Sequence, residues 1–132
     1  MDSINHDFSR DVFLDIVVQT VNVARGTASE AVEFKRILES EIDSGVKKLI
    51  VNLSDCLFID SAFTGAIVVS LRKISTVGGD LRLTGLQSAV KNVLELTRVI
   101  RQFDVFPTVE DAIASYGGQG SSGLRENRLT IQ

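Results

Sequence analysis

Hydrophobic positions along the chain change period several times, and the sharpest change falls between Lys48 and Gly65. Leu49, Ile50 and Val51 form a short uncharged run suited to a strand buried on both faces of a sheet. The run breaks at Ser54-Asp55, a second apolar patch follows at Cys56-Leu57-Phe58-Ile59, and from Phe63 onward the apolar residues recur at helical spacing through Ile67, Leu71, Ile74 and Val77. Strand, loop and helix start are predicted in succession, with Asp60 and Ser61 at the helix N-terminus.

The flanking pattern supplies the other elements. Residues from about Ile4 to Val18 read as one or two strands, the stronger running from Val12 to Val18 with Asp15 as its polar exception. An irregular connection follows Gln19, with Arg25-Gly26 marking the break, and Thr27-Ala-Ser-Glu30 has the spacing of a capping box. The helix that starts there places Ala31, Phe34, Leu38 and Ile42 on one face, with Ile37 beside it, and ends at Gly45. After the central strand and helix, Val77-Gly78-Gly79 predicts a left-handed C-terminal cap. Leu81 to Thr84 reads as a strand and Gly85 as a break, and Ser88 to about Thr97 reads as a helix with Val90, Val93 and Leu94 on one side. Phe103, Val105 and Phe106 make a last short strand, and Thr108 starts a helix carrying Ala112, Ile113 and Tyr116. The predicted order is β(β)αβαβαβα, an α/β domain with a largely parallel sheet.

The 132 residues carry this one continuous pattern, which predicts one domain over residues 1–116. The Gly/Ser-rich stretch from Gly117 to Gly123 is a compositional break, so residues 117–132 are expected to be a flexible C-terminal tail. The N-terminus lacks the basic and apolar regions of a signal peptide and no apolar run is long enough to span a membrane, so a cytoplasmic protein without membrane insertion is expected. A net charge of −3 without a basic stripe argues against direct nucleic-acid binding. A single cysteine, Cys56, and a single histidine, His6, leave no disulfide, no multi-cysteine metal site and no placed acid–base histidine. Cys56 is expected to be a buried small residue.

Candidate chemistry therefore concentrates at Asp60-Ser61. In α/β folds sites collect at the carboxyl ends of strands, and a helix N-terminus favours negative charge. The bland reading is that Asp60 or Ser61 is only a helix cap. Ser61 lacks the flanking glycines of a hydrolase nucleophile, and no Gly-Lys-Ser/Thr loop is present for nucleotide hydrolysis. A phosphoaspartate receiver would need an acidic pair after its first strong strand, where Val17-Val18-Gln19-Thr20 stands instead.

Leu49-Ile-Val-Asn-Leu-Ser-Asp-Cys-Leu-Phe-Ile-Asp-Ser61 with Gly65, Gly78-Gly79-Asp-Leu-Arg-Leu, Ser88-Ala-Val-Lys-Asn-Val-Leu and Phe106-Pro-Thr-Val-Glu-Asp-Ala follow one another in an order that resembles the STAS domain family. Within it the chain is similar to the single-domain bacterial anti-sigma factor antagonists, over roughly residues 9 to 116. The resemblance implies a small mixed, largely parallel sheet of four to five strands packed against about four helices. It also implies no catalytic residue, no cofactor and no metal. It implies phosphorylation of Ser61 by a partner serine kinase, a histidine-kinase-like ATPase that is also the anti-sigma factor, and reversal by a phosphatase. The partner-binding face it implies is Asp60, Ser61, Ala62, Phe63 and Thr64. Two departures stand out: Phe63 occupies a place where the family usually has glycine, either buried against the sheet or exposed as a partner anchor, and Thr64 is a second candidate phosphoacceptor. A weak homodimer is compatible with the resemblance. The rival readings are a STAS subunit docking on a membrane transporter without phosphorylation, and a small enzyme or ligand sensor.

Overall fold

A computed structural model describes residues 6–117. The tail expected over residues 117–132 therefore lies, from residue 118 on, outside the described residues. Strands β1 (Phe8–Phe13) and β2 (Ile16–Val21) form an antiparallel hairpin, followed by a two-residue strand β3 (Arg25–Gly26) and helix α1 (Ala28–Asp43). Then come β4 (Lys48–Asn52), the two-residue β5 (Phe58–Ile59), α2 (Ser61–Thr76), β6 (Asp80–Thr84), α3 (Ser88–Leu96), a 3-10 turn over Val99–Gln102, β7 (Val105–Phe106) and α4 (Val109–Ser115). The main sheet has five strands in the order β1-β2-β4-β6-β7, parallel apart from the β1-β2 pair, and β3 and β5 form a separate two-stranded parallel ribbon.

The central strand is buried for the reason its sequence suggests. Leu49 and Val51 point into the larger core with Val17, Leu81 and Leu83, whereas Ile50 points to the opposite face with Ile16, Val18, Ala112 and Tyr116. Helices α1, α2 and α3 bury Phe34, Leu38, Ile67, Leu71, Val90 and Leu94 in the first core, and short α4 covers part of the second. Three rings, Phe8 from β1, Phe34 from α1 and Phe63 from α2, stack in series with centroids 4.7 Å and 5.1 Å apart. This stack ties both long helices to the hairpin.

Several local expectations are corrected. The strand read from Val12 to Val18 is cut by a turn at Leu14-Asp15, where Leu14 adopts φ 57° and the Asp15 carboxylate meets Lys48 at 3.1 Å. Arg25-Gly26 is a strand, not an irregular break, because its pairing partner lies in a distant apolar patch. Of the paired glycines only Gly78 is left-handed (φ 83°); Gly79 is required for space, since a Cβ there would lie 2.6 Å from the Lys47 carbonyl. Arg82, at an alternating position of a strand, is buried on the α4 face: its Nε lies 3.0 Å from Asp80, it donates to the Ser115 hydroxyl, and its guanidinium sits 3.9 Å above the Tyr116 ring. The Tyr116 hydroxyl in turn reaches the Leu49 and Asp80 carbonyls at 2.9 and 2.7 Å, which fixes α4 to the sheet.

Cys56 is fully buried with its Sγ toward the Phe58 carbonyl, and burial raises its thiol pKa. Gly26 is the tightest point of the aromatic stack, because a Cβ there would stand 2.9 Å from two atoms of the Phe63 ring. That ring is fully buried and stacked on Phe34, which leaves it little room to shift. Gly26→Ala is expected to destabilise the chain by about 1–3 kcal/mol, the usual cost of overfilling a packed core, read as a lowered urea midpoint with unchanged slope.

Candidate functional site

Two short strands bring two helix starts together. In the β3-β5 ribbon Arg25 pairs with Phe58 and Gly26 with Ile59, and the next residue on each strand, Thr27 and Asp60, is the N-cap of a long helix. The Asp60 N–H donates to the Gly26 carbonyl at 3.0 Å, which extends the register to the caps themselves. The N-termini of α1 and α2 consequently lie side by side, and the positive ends of both helix dipoles face the same patch of surface.

The Asp60 carboxylate joins them. Its Oδ1 accepts the Phe63 N–H of α2 at 2.9 Å, and its Oδ2 accepts the Ala28 N–H of α1 at 3.0 Å. One side chain thereby satisfies an orphan first-turn amide on each helix. On α1 the Glu30 carboxylate accepts from the Thr27 N–H at 2.8 Å, from the Thr27 hydroxyl at 2.8 Å and from the Ser29 hydroxyl at 2.7 Å. These bonds, that from Ser29 foremost, hold the Glu30 pKa below its ordinary value.

The five residues expected at the binding face fall into two groups. Ser61 and Ala62 are exposed at the first turn of α2, with the partly exposed Asp60 before them. Of the two alternatives open for Phe63 the structure takes burial: the residue is 0% exposed, stacked on Phe34 and packed against Gly26. Thr64, the second candidate phosphoacceptor, is 5% exposed with its hydroxyl donating to the Asp60 carbonyl at 2.8 Å. Ser61 is the exposed hydroxyl of this turn. Sequence reading missed that Thr27, Ala28 and Ser29 belong to the same site, and so does the ribbon beside it, where Leu57 is 56% exposed and Arg25 lies 4.6 Å over the Phe58 ring. The capping-box spacing at Thr27 and the cap at Asp60 were visible separately; their adjacency was not.

Among the described residues no group of three His, Cys, Asp or Glu is arranged to hold a metal ion, and no helix is long and apolar enough to cross a membrane. The site offers amides, the exposed hydroxyls of Ser61 and Ser29, the latter committed to Glu30, and a bridging carboxylate, a set suited to recognition and to charge switching.

Removing the bridge has a defined cost. Asp60→Ala is expected to lower stability by about 1–2 kcal/mol, within the range for losing an N-cap, and Asp60→Asn by less because its amide oxygen still accepts one bond; chemical denaturation measures both. For Glu30 the lowered folded pKa means that its contribution is present above the unfolded value and lost as pH falls through the folded one. The stability gap between wild type and Glu30→Gln should be full above about pH 5 and close progressively below it. A gap independent of pH contradicts the assignment.

Comparison with known proteins agrees with this architecture. The STAS domain model matches residues 27–112. A Thermotoga neapolitana protein named as an anti-sigma factor antagonist is 27% identical over 112 residues, 85% of this chain and 99% of that protein. The crystal structure of a Thermotoga maritima protein of the same name superposes with a TM-score of 0.76 at 31% identity, over 83% of this chain and 93% of that one. SpoIIAA, a Bacillus cell-fate determinant solved in its phosphorylated form, shares the fold with a TM-score of 0.65 at 19% identity, over 81% of this chain and 96% of its own. With the mixed five-stranded sheet and the helix start at Ser61 in place, the chain belongs to the STAS domain family.

Proposed function

We propose that this protein is an anti-sigma factor antagonist that binds its anti-sigma factor, a serine kinase of the histidine-kinase-like ATPase type, through the start of α2 while Ser61 is unmodified. Phosphorylation of Ser61 by that kinase releases it, and a phosphatase resets it. The protein acts by binding and carries out no catalysis of its own. The observation that carries this reading is the exposure of Ser61 on a turn whose other groups are already committed: Asp60 to two helices, Thr64 to the Asp60 carbonyl, Phe63 to the core. The anti-sigma factor antagonist names of the Thermotoga relatives support the general role, and the structure of SpoIIAA in its phosphorylated form is consistent with the switch.

The physics favours a surface switch over an unfolding switch. A phosphate adds about −1.5 to −2 charges. The amide-rich ends of α1 and α2 favour that charge, while Asp60 and Glu30 oppose it. The two effects offset each other within the protein. Against a partner that covers Ser61, the unpaired dianion is costly to desolvate, by at least a few kcal/mol.

The test is calorimetric binding of wild type and Ser61→Asp to the ATPase recovered with wild-type bait, combined with a phosphorylation assay. Wild type should bind and accept phosphate, Ser61→Ala should bind without accepting it, and Ser61→Asp should lose on the order of a hundredfold in affinity while its thermal midpoint stays within a few degrees. Retention of the same partner by Ser61→Asp contradicts the switch and is the behaviour of constitutive docking, as on a transporter subunit.

A further inference from the structure

Beside Ser61, between the outer faces of α1 and α2, lies a shallow groove of about 200 Å³ lined by Ala31, Val32 and Lys35 from α1 and by Ala62, Gly65 and Val69 from α2. Its rim is apolar and open: Val32 is 77% exposed and Val69 is 43% exposed. Ala31 and Ala66 are its buried lining residues, Gly65 beside them is half-buried, and the fold gives no reason for a glycine there. A Cβ added at Gly65 would meet nothing within 4 Å, and its backbone is not left-handed. A glycine inside a helix weakens it relative to alanine, so at Gly65 stability is lost with no intramolecular return.

Resting on the switch reading above, we infer that this groove receives one apolar side chain from an amphipathic helix of the anti-sigma factor, with Gly65 leaving the groove wall free of a side chain for close approach. Three observations select this occupant. The groove is smaller than the roughly 300 Å³ at which small-molecule sites begin, and it lacks convergent polar groups to orient such a ligand. Gly65 lies one helical turn from Ser61 on the same stripe, and Ala62 borders both, so the groove continues the surface that the switch would control. Farther along that stripe Arg72 is exposed, and Lys35 stands on the groove wall, its ammonium 3.7 Å from Glu39 in an exposed pair that a partner carboxylate can share. The complementary partner helix therefore carries a carboxylate beyond its apolar residue. An apolar anchor fixed in a pocket, with charges at the rim, is the usual division of labour at such interfaces.

The inference gives Ser61 a defined means of action. A phosphate one turn from the groove prevents the partner helix from seating, without altering the groove itself.

Calorimetry with the ATPase recovered by wild-type bait tests it, using variants that leave Ser61 intact. Gly65→Ala is expected to raise the thermal midpoint by roughly 2–5 °C while weakening binding about tenfold, and Gly65→Leu to weaken it a hundredfold or more. Val32→Ser should weaken binding about tenfold, and Arg72→Ala should flatten its salt dependence; Val77→Ser, exposed on the same chain outside the groove, should change neither. Unchanged affinity in Gly65→Leu and Val32→Ser overturns the groove assignment even if Ser61→Asp abolishes binding, and the switch then stands without it. If the Gly65 variants weaken binding while Ser61→Asp does not, the groove stands and the switch falls. If no ATPase is recovered, both fall together.

Discussion

The Asp60 carboxylate, accepting one amide from α1 and one from α2, is the constraint on which the arrangement of this protein's candidate site depends. A helix start ordinarily exposes its orphan amides to water or to its own cap. Here one carboxylate serves two helices, which places their first turns in fixed relation and leaves Ser61 facing outward from the junction. The two-residue β3-β5 ribbon below it is too short to hold such a junction by itself, with Gly26-Ile59 as its last pair. The carboxylate and the ribbon reinforce each other, since the Asp60 N–H also bonds to the Gly26 carbonyl.

Packing supports the junction from below. Phe63 is the third side chain of helix α2, and its ring completes the stack that begins at Phe8 and passes through Phe34. Gly26 admits that ring by having no side chain. A residue close to the proposed switch position is thus part of the hydrophobic core, and the exposed surface around it is carried by Ser61 and Ala62, the α1 start and Leu57. Rigid support beneath a small exposed hydroxyl is what a charge switch needs: modification changes the surface while the core holds its register.

Much of this could be read from the sequence because it is local. The β4 run, the helical spacing after Phe63, the Asp60 cap and the Thr27-Glu30 box depend on neighbours within one or two turns, and each leaves a pattern in the chain. What could not be read depends on distant partners. Arg25-Gly26 has no alternation to mark it as a strand, and only its pairing with Phe58-Ile59 makes it one. Leu14 turns the first hairpin with a positive φ that no glycine or asparagine announces. Arg82 is buried because Asp80 on its own strand and Ser115 and Tyr116 at the end of α4 converge on it. The burial of Phe63 stayed open for the same reason, since its position on the apolar arc of α2 does not say what fills the space opposite.

Amide hydrogen exchange at Ala28 and Phe63, in wild type and in Asp60→Ala, tests the central claim most directly. The two amides are far apart in sequence and share one acceptor side chain, so both should lose protection together in Asp60→Ala while the amides of β4 and β6 keep theirs. If Ala28 keeps its protection when Asp60 is truncated, the two helix starts are not joined through that carboxylate, and the account of the site built on it is wrong.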